Sequence, residues 1–73
     1  MPPRSPELPS ARVTDDLRRR LNAGEWERGE ALPSVGKLAT EYQASRTTVG
    51  KALKVLEAEG LITIVTRWGT FRA

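Results

Sequence analysis

The chain contains neither cysteine nor histidine. These two absences exclude disulfide frameworks, thiol nucleophiles, imidazole general bases and the usual zinc ligand sets, and nothing in the composition demands an oxidising compartment. Aromatic side chains are scarce, with two Trp, one Tyr and one Phe. No apolar run approaches the roughly 20 residues needed to span a bilayer. The opening Met1-Pro2-Pro3-Arg4-Ser5-Pro6 lacks the apolar stretch of a secretory signal. A cytoplasmic protein with no membrane partner is the expectation. A chain of 73 residues supports one small core and leaves little room for a separate ligand pocket. No cofactor, no metal and no small-molecule effector within this chain is expected. Glu41, Glu57 and Glu59 are carboxylates available for catalysis, but each reads as a solvated helix charge, so no enzyme is expected.

The net charge of +3 is modest and unevenly placed. Residues 1–45 hold seven Lys/Arg against seven Asp/Glu, which cancel. Residues 46–73 hold Arg46, Lys51, Lys54, Arg67 and Arg72 against Glu57 and Glu59, so the whole excess lies there. Binding to phosphates depends on such clustering more than on total charge.

Four of the five prolines fall within residues 1–9, which read as a flexible arm; residues 10–73 read as the domain. Ser10 is the expected N-cap of a first helix over 11–23, where Val13, Leu17 and Leu21 form one stripe and Gly24 ends it. Arg18, Arg19 and Arg20 lie mostly off that stripe and read as solvated. Trp26 reads as a lid on the core, Arg28-Gly29 as a turn, and Ala31-Leu32 as a minimal strand able to pair with a later hairpin. Ser34 caps a second helix over 35–43, whose Val35, Leu38, Ala39 and Tyr42 share one face. After the short turn Gln43-Ala44, Ser45 caps a third helix over 46–59, with Val49, Ala52, Leu53 and Leu56 at the same spacing. Two short amphipathic helices joined so tightly must cross steeply to bury both faces. Gly60 ends the third helix; the β-branched run 61–66 is a strand, Arg67-Trp68-Gly69 a bend, and 70–72 the returning strand. The predicted fold is therefore mainly α with a small β-sheet: a winged helix-turn-helix of three helices and a C-terminal hairpin wing.

On a helical wheel centred on Val49, Thr47, Lys51 and Lys54 cluster at about 140–200°, with Arg46 and Gly50 between them and the core face. The first turn of the third helix thus offers one long cation and two hydroxyls, Thr47 and Thr48, and no acidic residue precedes Glu57. That is where a recognition helix meets base edges. Arginine grips guanine O6 and N7 with two hydrogen bonds, and threonine bonds phosphate or base or sets its methyl against thymine. Lys51 and Lys54 suit phosphates, as do the capped helix starts at Ser34 and Ser45. The partner implied is double-stranded DNA.

The run Leu32-Pro33-Ser34, Leu38-Ala39, Ser45-Arg46-Thr47-Thr48-Val49, Ala52-Leu53, Leu56-Glu57, Glu59-Gly60-Leu61-Ile62 and Gly69-Thr70-Phe71 resembles the N-terminal domain of the GntR family of bacterial transcription regulators. The resemblance covers about residues 11–72, and Gly24 and Gly29 fit its spacing upstream. It implies a winged helix-turn-helix that pairs on palindromic operators, usually as a repressor. It also implies DNA contacts from Arg46, Thr47 and Thr48, and from Thr66 and Arg67 at the wing. Trp68 is expected to pack on sugars or against the hairpin. The chain departs from the family pattern at Val35-Gly36, where relatives often carry an acidic-basic pair, and at Gly50, where they usually carry an arginine that reads a base. It departs again at Arg67-Trp68, and at Gln43, which stands in place of a turn glycine. The two missing basic residues imply an unusual operator. Relatives usually carry a C-terminal effector-binding and dimerisation domain that does not appear before Ala73, so self-association is expected on DNA and little of it off DNA. The alternative reading is a winged-helix protein-interaction module that meets an acidic partner.

Overall fold

Val13, Leu17 and Leu21 give α1 (Ser10–Asn22) a fully buried stripe in the computed structural model, which describes residues 9–65 and 68–73. Residues 1–8 of the expected arm lie outside the described residues. The helix starts one residue earlier than its sequence suggests, because Pro9 and not Ser10 is the N-cap. Proline's fixed φ suits a helix entry, and the Pro9 carbonyl accepts from the N–H groups of Arg12 and Val13 at 2.9 and 3.2 Å. Ser10 is already helical, and its carbonyl accepts the Thr14 hydroxyl at 2.8 Å.

α2 (Val35–Tyr42) and α3 (Arg46–Ala58) begin on serine caps as expected. The Ser34 hydroxyl accepts the Lys37 N–H at 3.2 Å, and that of Ser45 accepts the Thr48 N–H at 3.0 Å. All three helices end in the same pair of backbone hydrogen bonds, one spanning five residues and one spanning three: Glu25 to Arg20 with Gly24 to Leu21, Ala44 to Ala39 with Gln43 to Thr40, and Leu61 to Leu56 with Gly60 to Glu57. This arrangement requires a left-handed residue just past the helix. Gly24 and Gly60 supply it at φ +82° and +79°, whereas α2 uses Gln43 at φ 52°. The turn at which the family's glycine is missing thus holds a non-glycine residue in the left-handed region, which is strained.

β1 (Ile62–Val65) and β2 (Gly69–Arg72) form an antiparallel hairpin with Ile62 opposite Arg72 and Val65 opposite Gly69. The first strand begins one residue later than the β-branched run, whose last residue, Thr66, lies outside the described residues, and the second begins at Gly69. Segment 29–32 lies along the other edge of β2: the N–H of Gly29 reaches the Arg72 carbonyl at 2.8 Å, and that of Leu32 reaches the Thr70 carbonyl at 2.8 Å. The bridge between Ala31 and Phe71 makes Ala31-Leu32 the minimal strand its sequence suggested.

One core joins these pieces. Val13, Leu17, Leu21, Trp26, Leu32, Leu38, Val49, Ala52, Leu53, Leu56 and Ile62 are buried together, with Val35, Ala39 and Tyr42 packed at its margin. α3 thus contributes all four residues of its apolar face, while α2 buries Leu38 alone completely. Trp26 closes the core as the expected lid. Among the described residues no helix is long and apolar enough to cross a membrane.

Candidate nucleic-acid interface

Arg18 and Arg20 of α1 do not stand free in solvent, contrary to expectation, whereas Arg19 is exposed as expected. Arg18 spans Asp15 at 2.8 Å and, from the C-cap of α3, Glu59 at 2.6 Å; Arg19 pairs with Asp16. Arg20 is the most engaged of the three. It bonds Glu25 and Glu41, donates to the Tyr42 hydroxyl oxygen at 2.7 Å, and lies over the Trp26 ring at 4.8 Å. The Tyr42 hydroxyl donates in turn to Asp16. Three of these acids titrate low for physical reasons that name their partners: Glu59 through its hydrogen bond from Arg18, Glu25 through that from Arg20, and Asp16 chiefly through that from Tyr42. Burial, reinforced by the bond to Asp16, pushes the Tyr42 hydroxyl up to about 12.

The acids read as loose surface charges are accordingly in use. Glu41 and Glu59 hold arginines of α1, and the Glu57 carboxylate accepts the Ile64 N–H at 3.2 Å. Arg72, counted in the basic excess of the C-terminal half, is turned inward: its Nη1 donates to the carbonyls of Leu21 and Trp26 at 3.2 and 3.0 Å. It ties the hairpin to the end of α1 and adds nothing to an outer charged face.

The cations of α2 and α3 are disposed differently. Lys37, Arg46, Lys51 and Lys54 are exposed, and none enters an ion pair among the described residues. Arg12 and Arg28 are also outside those pairs, but Arg12 shares its surface with Asp15 and Asp16, and Arg28 stands in a turn beside Glu27 and Glu30. The uncompensated charge therefore collects on the helix pair. Lys37 was not among the sequence-derived candidates. Its signal was its place three residues after the Ser34 cap, in the first turn of α2 beside the start of α3.

Around that charge, Thr47 is exposed, whereas Thr48 is half-buried and its hydroxyl oxygen accepts from Ser45 at 2.9 Å. Of the threonine pair, Thr47 presents its side chain to solvent and Thr48 closes the cap of α3. An open groove runs between the two helix starts, lined by Pro33, Ser34, Gly36, Lys37, Thr40 and Arg46 with Glu41 at its edge. Arg20 holds the Glu41 carboxylate at 2.9 Å, so the groove keeps a positive balance. At Gly36 an added Cβ would meet Arg46 Nη2 at 3.0 Å, while at Gly50 it would meet nothing within 4 Å. Gly50 therefore leaves open space on α3, and Gly36 lies beneath a guanidinium.

On the hairpin, Trp68 is 78% exposed and does not pack against the strands, which corrects that half of its expected role. Ile64 and Val65 are also exposed. Thr66 and Arg67 lie outside the described residues.

A helix pair joined by a three-residue turn, packed on a first helix and followed by an antiparallel hairpin, defines a winged helix-turn-helix domain. The chain belongs to the gntR family of bacterial regulatory proteins, whose family model matches residues 9–71. It is similar to the histidine utilization repressor of Klebsiella aerogenes, with 32% identity over 72 residues covering 97% of this chain and 30% of that protein. It is also similar to the mannosyl-D-glycerate transport/metabolism system repressor MngR of Escherichia coli, with 34% identity over 59 residues covering 81% of this chain and 25% of that one. The chain thus spans less than a third of the length of these relatives. Among solved structures it resembles the AraR DNA-binding domain in complex with operator ORE1. That match has a TM-score of 0.85 and 30% identity, covering 100% of this chain and 93% of that one.

Proposed function

We propose that this domain binds double-stranded DNA with a sequence preference and regulates transcription, acting as a repressor by occupying an operator. The observation that carries the reading is the sorting of charge: ion pairs engage Arg18, Arg19 and Arg20 of α1, while Lys37, Arg46, Lys51 and Lys54 remain uncompensated on the helix pair. A cationic face of this kind is what a polyanion requires. The similarity to a domain solved with operator DNA supports the same reading.

In this reading α3 enters the major groove, with Arg46 and Thr47 toward base edges and Thr48 holding the turn that aims them. Lys51, Lys54 and Lys37 meet phosphates, as do the capped starts at Ser34 and Ser45. Gly50 leaves a gap where a side chain would otherwise reach the DNA. Thr66 and Arg67 serve at the wing, and the exposed Trp68 packs on sugar. Two copies pair on a palindromic site in the cytoplasm, and the domain's role is binding and not catalysis.

Selection of bound sites from random duplex DNA tests this directly. The expected product is an inverted repeat, bound with a log affinity that falls linearly as log salt rises. Arg46→Ala is expected to lose about 5- to 150-fold on the selected site, the equivalent of 1–3 kcal/mol for one bidentate base contact. Recovery of no preferred sequence, with binding that follows the partner's net charge alone, would overturn the reading.

A further inference from the structure

Gly36 is the second residue of α2, within regular helix, and its φ lies outside the left-handed region. The backbone therefore gives no reason for glycine there, and glycine is a poor helix former. The reason lies across the turn. A Cβ at this position would sit 3.0 Å from Arg46 Nη2, 3.5 Å from Cζ and 3.7 Å from Nε. Three guanidinium atoms thus lie across the bare Cα, folded back from the first residue of α3 onto the first turn of α2. Gly50 provides the contrast within the same helix pair, since its missing side chain leaves empty space.

The geometry points to Gly36 as a positioning residue that sets the DNA sequence preference of this domain through Arg46. The inference rests on the DNA-binding reading above. A long arginine on a helix start has many rotamers, and holding it in one before binding removes part of the entropy cost of using it. The seat offers an open groove, Lys37 alongside and the Glu41 carboxylate already held by Arg20. Arg46 itself has no ion-pair partner among the described residues to hold it elsewhere. A side chain at 36 meets the mobile end of Arg46 and not backbone, so the guanidinium is displaced while the fold stays intact. Substitution at 36 then alters which sequence is preferred, not whether the domain folds.

A double-mutant cycle tests this. Gly36→Leu is expected to lower the ratio of affinities for the selected site and a scrambled duplex about tenfold in the parent chain, and less than twofold in the Arg46→Ala background. Equal losses in the two backgrounds would show that residue 36 acts on DNA directly and would overturn the seat, leaving DNA binding standing. A parent chain without sequence preference would instead overturn the functional reading on which the seat depends. In the free protein, the Nε–H resonance of Arg46 is expected to shift in Gly36→Ala and Gly36→Leu while the melting temperature does not fall. An unmoved resonance in both variants would overturn the seat without reference to DNA.

Discussion

α1 and α3 are helices of equal length, 13 residues each, and both carry an apolar stripe and several cations. α1 has Arg12, Arg18, Arg19 and Arg20 with Asp15 and Asp16 among them; α3 has Arg46, Lys51 and Lys54 and no acid before Glu57. The contrast lies in what reaches each helix from elsewhere. Glu25, Glu41 and Glu59 all turn toward α1, and Tyr42 and Trp26 complete the enclosure of Arg20. The outer face of α3 receives no such partner among the described residues. Similar raw composition thus yields a fastened structural helix in one case and a charged, available one in the other. Guanidinium count alone does not distinguish them; the location of the carboxylates does.

The strongest test of this contrast removes the fastening. Arg20→Met keeps much of the side-chain volume but deletes the charge-assisted hydrogen bonds and the stacking on Trp26. It is expected to cost about 2 kcal/mol, or roughly 10 °C in melting temperature for a domain of this size. Calorimetry should show that drop, with DNA sequence preference unchanged at temperatures where the variant is folded. A variant that keeps its stability but changes its preferred site would reverse the roles assigned to the two helices.

The complementary change is on α3. Lys54→Ala should weaken all DNA sequences alike and reduce the slope of log affinity against log salt by about one, with little effect on melting. Titrations at several salt concentrations on specific and scrambled duplexes measure both quantities.

Acid sharpens the comparison further, because the titrating pairs belong to α1. Asp16, Glu25 and Glu59 are held below their ordinary values of 3.8, 4.5 and 4.5. The unfolded chain then binds more protons than the folded one, so this stability is present above about pH 4.5 and is lost as pH falls through the lowered values. Tyr42, raised from 10.0 to about 12, has the opposite sign: its contribution is intact below pH 10 and fades as pH rises toward 12. Melting curves across both ranges should fall at each end, and Glu59→Gln should flatten the acid limb. The smallest effect is expected at the turn between α2 and α3. Gln43→Gly relieves the left-handed strain at φ 52° and should stabilise by less than about 1 kcal/mol, since added chain entropy offsets part of the gain.

Much of the fold was legible because its signals are local. The stripes of α1 and α3, the caps at Ser34 and Ser45, and the stops at Gly24 and Gly60 each depend on spacing within a few residues, and each appears where expected. The start of α1 was misplaced by one residue because Pro9 serves as well at a helix entry as Ser10 would. Arg18, Arg20, Glu41, Glu59 and Arg72 were misread because their partners lie 21 to 51 residues away, and no local pattern records such pairs. No local pattern marks Lys37 either, because its importance comes from Arg46, which lies beyond the turn.

By itself the sequence determined three amphipathic helices, a β-branched hairpin and a family likeness, because periodicity, capping and turn chemistry act between near neighbours. Tertiary structure alone decided that Arg18 reaches Glu59 and Arg20 reaches Glu41, since those distances close only when α1, α2 and α3 share a core. It also decided what the two helix glycines mean. Both are small residues in the sequence, yet one faces open space and the other carries a guanidinium, because α2 and α3 meet at one glycine and not at the other.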